Sequence, residues 1–267
     1  MRTPCLEACA SQVVIGGTVF GSGKFGWIAG PCAIESSTQL SSCVVELRKA
    51  GIEVIRGGLF KPRTSTYSFQ GIGKAGVDLV RRLKEKFTFP FVSEVIDAES
   101  LEVLQPIVDA VQIGSRNCLN YALLKRVGRA GKPVILKRGF AVTVEEYLNA
   151  AEYLAVNGAS EIILCERGIR TITEVTRFTL DVGVIAWLKN RFPMPVIADP
   201  SHAAGNAELV APLTLAAVAA GADGIMVECT PEPENARCDS RQQLAPERLS
   251  ELKKQVENIR PGGTELC

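Results

Sequence analysis

Histidine is almost missing from this chain: His202 is the single one in 267 residues. Any site that needs an imidazole as base or metal ligand must use that position. Net charge is nearly missing as well. Lysines and arginines number 30 against 29 aspartates and glutamates, which leaves +1 and argues against a broad electrostatic footprint for nucleic acid or an anionic membrane. No uninterrupted apolar run approaches the ~20 residues of a membrane span. The opening MRTPCLEACA has one early arginine and no long apolar core, unlike a secretory signal. These absences predict a soluble, cytoplasmic protein. Paired cysteines are lacking too. The nine cysteines at 5, 9, 32, 43, 118, 165, 229, 238 and 267 form no C-x-x-C pair, so neither a zinc ribbon nor a thioredoxin-type motif is indicated. Most are expected to be reduced and packed as small apolar residues. Cys5 and Cys9 fall in a segment that reads as poorly ordered, where an adventitious bridge between them is an open alternative.

What is present is an ordinary globular balance, 46% hydrophobic and 22% charged residues, unlike that of a disordered chain. A chain of this size buries roughly three quarters of its unfolded surface and needs no disulfide staples. Short apolar runs alternate with longer stretches of helical periodicity. Strands are expected at Trp27–Cys32, Val54–Leu59, Phe91–Val95, Ala110–Gly114, Val134–Gly139, Ile162–Gly168, Val196–Asp199 and Gly224–Cys229, a rhythm that suits βα units with crossover helices. Between the second and third, Ile72, Leu79, Val80, Leu83 and Phe87 mark one apolar helical face. Thr143 and Glu146 form a T-x-x-E capping box, with Gly158 as the stop, and Asp97 can cap a helix carrying Leu101 and Leu104. An alanine-rich helix over Glu208–Ala220 ends at Gly221, and Pro246 can open a last helix through Ile259.

Such units in series, without a linker, predict an α/β fold: a single (β/α)8 TIM barrel, with an open doubly wound sheet as the alternative. One domain is expected over 1–267, with an extension and hairpin in 1–26 and the barrel in 27–260. The hairpin, Val13–Ile15 and Thr18–Phe20 about Gly16-Gly17, could plug the barrel's N-terminal end. Residues 1–26 are too few for an appended regulatory domain, so no built-in amino-acid feedback site is expected.

In parallel α/β folds ligands meet the carboxyl ends of the strands. Those ends here carry Cys32, Arg56, Glu94, Arg116, Lys137-Arg138, Glu166-Arg167, Asp199-Pro200-Ser201-His202 and Glu228. Any one could be a charge emerging into solvent; the repetition on nearly every strand points to a site. By side-chain alternation Lys137 shares a face with Ile135, and Glu94 with Val92. If the aliphatic residues fill the interior, the charges reach its mouth. Arg56, Lys61, Arg63, Arg116, Lys137 and Arg167 would then converge, which calls for a small, strongly anionic partner bearing phosphates and a carboxylate. Cys32, His202, Glu228 and Asp239 add a thiol, an imidazole and two carboxylates, a donor set suited to one divalent metal ion such as Mn, Fe, Co or Zn. Taken singly, Cys32 could equally be a packed thiol and Asp239 a loop residue.

The motifs GPCAIES (30–36), KPRTS (61–65), GSRN (114–117), ILKRG (135–139), ERGIRT (166–171), DPSH (199–202) and PEPENARCDS (231–240) resemble those of the 3-deoxy-D-arabino-heptulosonate 7-phosphate (DAHP) synthases. They match the short type Iβ form, related to the octulosonate 8-phosphate synthases, over about residues 13–245. The resemblance implies a transferase joining phosphoenolpyruvate to erythrose 4-phosphate, the first step of the shikimate pathway. It implies metal ligation by Cys32, His202, Glu228 and Asp239, and phosphoenolpyruvate contacts from Arg56, Arg116, Lys137 and Arg167, with Glu94 near the reacting carbon through a water. Lys61, Arg63, Thr64 and Ser65 would receive the aldose phosphate, with Lys61 a proton donor or a charge clamp. A homotetramer or homodimer is also implied. The KPRTS form favours the four-carbon aldose over arabinose 5-phosphate, the octulosonate enzyme's substrate. A Schiff-base aldolase using Lys137 and a catalytically silent sugar-phosphate-binding barrel are the remaining alternatives. The chain departs from the family's pattern at Cys229-Thr230-Pro231, at Cys238 and at Gly205-Asn206-Ala207.

Overall fold

The computed structural model describes residues 3–260; residues 1–2, residues 261–267 and with them Cys267 lie outside the described part. Two strands, β1 (Gln12–Ile15) and β2 (Thr18–Gly21), form an antiparallel hairpin. Eight parallel strands follow: β3 (Gly26–Gly30), β4 (Val54–Arg56), β5 (Phe91–Val95), β6 (Ala110–Ile113), β7 (Val134–Lys137), β8 (Ile162–Glu166), β9 (Val196–Ala198) and β10 (Gly224–Glu228). They pair in sequence order, and β10 pairs with both β9 and β3, which closes the barrel. The expected (β/α)8 barrel with its N-terminal hairpin is therefore present, and the open sheet is not.

The helices are α1 (Ser37–Lys49), α2 (Ala75–Phe87), α3 (Ala98–Leu104), α4 (Tyr121–Gly128), α5 (Val144–Val156), α6 (Val182–Lys189), α7 (Pro200–Ala204), α8 (Ala207–Ala219) and α9 (Pro246–Ile259). Local chemistry explains several ends. Thr143 Oγ1 accepts from the Glu146 N–H at 3.2 Å, and Glu146 returns the bond by accepting from the Thr143 N–H at 2.8 Å, the reciprocal cap that starts α5. Asp97 accepts from the Ser100 N–H at 2.7 Å to start α3. Corrections are needed elsewhere. Ile72 packs on the core but precedes α2. Most of the expected strands run one to three residues past the ladder, where single inter-strand hydrogen bonds continue, as from the Gly57 N–H to the Val92 carbonyl at 3.1 Å. The Cys5–Cys9 segment is docked, not loose: Glu152 of α5 accepts from the N–H groups of Cys5 and Leu6 at 3.0 and 3.1 Å. Both thiols are free.

Burial follows the two-residue repeat of the strands. Outward residues such as Phe91, Val111, Leu136, Leu164 and Val227 pack beneath the helices. Inward residues form a separate cluster, Ile28, Val54, Val92, Ala110, Ile135, Ile163, Cys165, Ile197 and Met226. Val13, Ile15 and Phe20 of the hairpin join that inner cluster, so the hairpin does stop the lower end of the barrel. Tyr147 of α5 reaches between β7 and β8, donating to the Leu136 carbonyl at 2.6 Å and accepting from the Cys165 N–H at 2.8 Å.

Phe20 is fully buried against the barrel floor. Phe20→Ala should destabilise the fold by about 3–5 kcal/mol, measured as a lower urea midpoint. An unchanged midpoint would mean that the hairpin is not part of the cooperative core.

Candidate active site

Above the inner apolar layer the same repeat delivers a ring of polar groups. Arg56, Glu94, Gln112, Lys137, Asp199 and Glu228 each stand two residues beyond an inward apolar residue of β4, β5, β6, β7, β9 and β10; Arg167 stands likewise beyond Cys165 of β8. Seven of the eight strands thus place a polar side chain at the mouth. Alternation sends the neighbours of two of them the other way. Arg138 and Glu166 are not mouth residues: they pair at 3.0 Å in the outer layer, where Arg138 also meets Asp181 at 3.1 Å. The grouping of Lys137-Arg138 and Glu166-Arg167 as mouth charges is corrected accordingly.

A cavity of about 200 Å³ opens at the mouth, lined by Arg56, Lys61, Arg63, Thr64, Ser65, Glu94, Arg116, Lys137, Arg167, His202 and Asp239 among others. Every residue named from the sequence for substrate contact lies on this one wall. Gln112, Phe140 and Arg177 also line it and were not assigned from the sequence. Gln112 had a signal, a polar residue in the inward register of an apolar strand. Arg177 sits in a long loop and had none. Seven lining residues are cationic and two, Glu94 and Asp239, are anionic. Room for the Glu94 carboxylate comes from Gly114, where an added Cβ would lie 1.9 Å from Oε1. Arg116 leaves a short turn after β6 and its guanidinium donates to Thr64 Oγ1 at 3.2 Å.

Below one side of the cavity the single histidine meets the other candidate ligands. One donor atom each from Cys32, His202, Glu228 and Asp239 can be chosen so that all lie within 4.8 Å of one another. Cys32 and Glu228 are fully buried; His202 and Asp239 face the cavity. His202 Nε2 is 3.3 Å from Glu228 Oε1, and Cys32 Sγ is 3.4 Å from Asp239 Oδ2. Around them is a shell of fixed partners. Asp199 Oδ2 sits 2.7 Å from His202 Nδ1 and also accepts from Lys137, so one carboxylate turns the imidazole and holds the lysine. Arg56 and Gln242 donate to the two oxygens of Glu228 at 3.0 and 2.7 Å. A mixed thiol, imidazole and carboxylate set, with its imidazole oriented from behind by a carboxylate, fits a divalent transition metal. Asp239 reaches it from a left-handed backbone position, φ +51°.

The family departures have local explanations. Gly205 ends α7 in the left-handed conformation and Asn206 caps α8. Thr230 is buried and accepts from the Cys43 thiol at 3.7 Å, with no place in the donor cluster. Cys238 does touch it: its sulfur is 3.0 Å from Cys32 Sγ and 2.6 Å from an Arg63 nitrogen.

The electrostatics are consistent with ligation. Burial pushes the Cys32 thiol well up, helped by its hydrogen bond with Cys238 and by Glu228. Burial pushes His202 down from 6.5 despite Asp199 and Glu228. Burial also opposes ionisation of Asp199, Glu228 and Asp239, but His202 and the surrounding cations hold all three below the usual carboxylate range, Asp239 at about 2.

A closed (β/α)8 barrel with its polar groups gathered at the strand carboxyl ends is the layout of a barrel enzyme. The chain belongs to the DAHP synthetase I family, whose profile matches residues 10–262. It is 43% identical to phospho-2-dehydro-3-deoxyheptonate aldolase of Thermotoga maritima, over 92% of this chain and 72% of that one. The crystal structure of that DAHP synthase superposes with a TM-score of 0.89 at 42% identity, covering 93% of this chain and 73% of that one. A truncated form of the T. maritima synthase gives 0.86 at 39% identity, with 94% and 92% covered. The 2-dehydro-3-deoxyphosphooctonate aldolase of Desulfotalea psychrophila is 30% identical over 87% of this chain and 89% of its own length.

The depressed carboxylates give a signed pH prediction. The unfolded chain protonates Asp239 near 3.8 and the folded chain near 2, so its stabilising contribution is complete above 3.8 and is lost as pH falls through about 2. In urea titrations the wild-type advantage over Asp239→Asn should shrink as pH falls from 4 to 2. A difference independent of pH would contradict the assignment.

Proposed function

We propose that the protein condenses phosphoenolpyruvate with erythrose 4-phosphate and water to give DAHP and phosphate, opening the shikimate route to aromatic amino acids. The observation that carries this reading is the cavity wall of seven cations against two carboxylates, set beside a four-donor cluster. Arg167 is buried on this wall with no carboxylate bonded to it, and a buried cation is costly unless an anion meets it. Two phosphorylated substrates, one with a carboxylate as well, match that demand.

In this reading Arg56, Arg116, Lys137 and Arg167 hold the phosphate and carboxylate of phosphoenolpyruvate. Arg63, Thr64 and Ser65 at the rim hold the aldose phosphate. Carbon 3 of phosphoenolpyruvate attacks the aldehyde carbon, water adds at carbon 2, and phosphate departs by C–O cleavage. Glu94, in the space left by Gly114, accepts a hydrogen bond from the water beside carbon 2. Lys61 is buried, and Cys32, Glu94 and Cys238 outweigh the desolvation that opposes its charge, raising its pKa. Lys61 serves the developing alkoxide as a proton donor or as a charge clamp. The Lys137 amine is engaged by buried Asp199, a contact that a Schiff base at that nitrogen would have to give up.

Cys32, His202, Glu228 and Asp239 would hold one divalent ion of the Mn, Fe, Co or Zn group. When bound, such an ion supplies Lewis acidity toward the aldehyde oxygen. Asp199 would keep Nε2 of His202 aimed at it. A cytoplasmic homotetramer or homodimer, with no nucleic-acid or membrane partner, completes the proposal; no described helix is long and apolar enough to cross a membrane.

The test is phosphate release from phosphoenolpyruvate with erythrose 4-phosphate or arabinose 5-phosphate, before and after chelation. Release with the four-carbon aldose, lost on chelation and restored by Mn or Co, is expected. Preference for the five-carbon aldose would move the chain to the octulosonate branch, and silence with every metal would leave a binding barrel. Proton release offers a second check. Three donors already stand in their ligating state at neutral pH, and Cys32 alone keeps a proton. In Cys238→Ser protein, where no second thiol can retain that proton, cobalt uptake should release one proton per ion. Apparent affinity should then rise roughly tenfold per pH unit. Uptake without proton release would remove Cys32 from the ligand set.

A further inference from the structure

Arg167 is buried to 3% exposure in the cationic half of the mouth, and its Nη1 has no hydrogen-bond partner among the described residues. The nearby carboxylates are engaged elsewhere. Asp199 serves Lys137 and His202. Glu166 serves Arg138 and the Gly168 N–H. Asp239 faces Arg63 and Arg177. What Arg167 does have is aromatic surface. Its guanidinium carbon lies 4.2 Å from the Phe178 ring centre and 5.1 Å from that of Phe140. The two rings stack on each other, 5.1 Å apart and 12° from parallel. Arg116 lies over Phe140 as well, at 5.5 Å.

We propose that Phe140 and Phe178 are positioning residues for phosphoenolpyruvate: their stacked rings fix the guanidinium groups of Arg116 and Arg167 by their faces and take none of the N–H groups, so that all but the one Arg116 gives to Thr64 Oγ1 are left for the substrate's anionic oxygens. The proposal rests on the reading of Arg116 and Arg167 as phosphoenolpyruvate contacts. A carboxylate in the same place would hold an arginine equally still, but it would occupy the N–H fork that a phosphate needs. A ring face attracts the cation through its quadrupole and takes no donor.

The local backbone is built around these rings. Gly168, next to Arg167, has φ +93°, and a Cβ there would lie 2.7 Å from Phe178 Cβ. The Phe178 N–H donates to the Ala203 carbonyl at 2.9 Å, which ties the ring's loop to the helix that carries His202. The Phe140 carbonyl accepts from the Arg170 N–H at 2.7 Å, which laces the loop after β7 to the loop after β8. Both rings are therefore held from behind while their faces serve the arginines.

Fluorinated phenylalanines test this on the full chain, because fluorine drains electron density from the ring face with little change of shape. One to three fluorines would be placed at 178, and separately at 140, and binding of phosphoenolpyruvate measured by calorimetry alongside KM and kcat. Affinity should fall stepwise, reaching about three- to tenfold at three fluorines. KM for phosphoenolpyruvate should follow, while KM for erythrose 4-phosphate and kcat change less than about twofold and the thermal midpoint holds. Phe178→Leu, which keeps apolar bulk without a π face, should match or exceed the trifluoro loss, and Phe178→Trp should bind more tightly than Phe178→Leu. A flat fluorine series would overturn the proposal, as would a fall in stability with phosphoenolpyruvate affinity unchanged. Arg167→Ala separates the two layers of inference. If it weakens phosphoenolpyruvate binding while the fluorine series is flat, the substrate assignment stands and the aromatic role falls. If it binds phosphoenolpyruvate like wild type, the substrate assignment itself falls.

Discussion

On β7 the lysine at 137 turns into the barrel and the arginine at 138 turns out of it. At the end of β8 the order of facing is reversed, with Glu166 outward and Arg167, again a cation, inward. This two-residue alternation, fixed by the pleat of an extended chain, separates two charge networks that are neighbours in sequence. The outward pair, Arg138 and Glu166, neutralises itself between barrel and helices. Of the two inward cations, Lys137 is paired with Asp199 while Nη1 of Arg167 has no hydrogen-bond partner among the described residues, so positive charge is in excess where the strands end. Everything at the mouth depends on that sorting. A one-residue slip of either strand would bury the wrong charge in both layers.

The mouth itself is divided. On one side the buried acids Asp199 and Glu228 balance Lys137, Arg56 and His202, and the donor cluster sits among them. On the other, Arg116 and Arg167 rest on aromatic rings without an acid of their own. In the first half every charge has an opposite charge beside it, although Arg56 Nε has no hydrogen-bond partner among the described residues. The second half is left short of negative charge. Arranging donors in advance around a missing anion puts the electrostatic cost into folding instead of into the reaction, and it explains why a chain of net charge +1 concentrates cations in one cavity.

Much of this was legible in the sequence, for identifiable reasons. The strands and the α5 cap are written in local pattern: apolar runs, and Thr143 spaced from Glu146. The inward polar ring follows from adding two to each inner apolar position, which also explains how Lys137 and Glu94 could be placed correctly. Grouping Arg138 and Glu166 with the mouth failed because the same alternation was not carried through the last residues of those strands. Order in the Cys5–Cys9 segment was invisible because it rests on Glu152, far along the chain, accepting two backbone N–H groups. Arg177, Phe140 and Phe178 were missed for a similar reason. They lie in loops whose positions come from packing against other loops, and no spacing within the chain marks them.

The hairpin at the foot of the barrel has one more consequence. Val13, Ile15 and Phe20 extend the inner apolar layer to the lower opening, so the barrel interior is packed from its foot to the floor of the cavity. Lys137 and Arg56 lie at the cavity's base, while Thr64 and Ser65 stand exposed at its lip. Depth therefore sorts the lining: the side chains nearest the inner apolar layer are reached last from solvent, and those at the lip first.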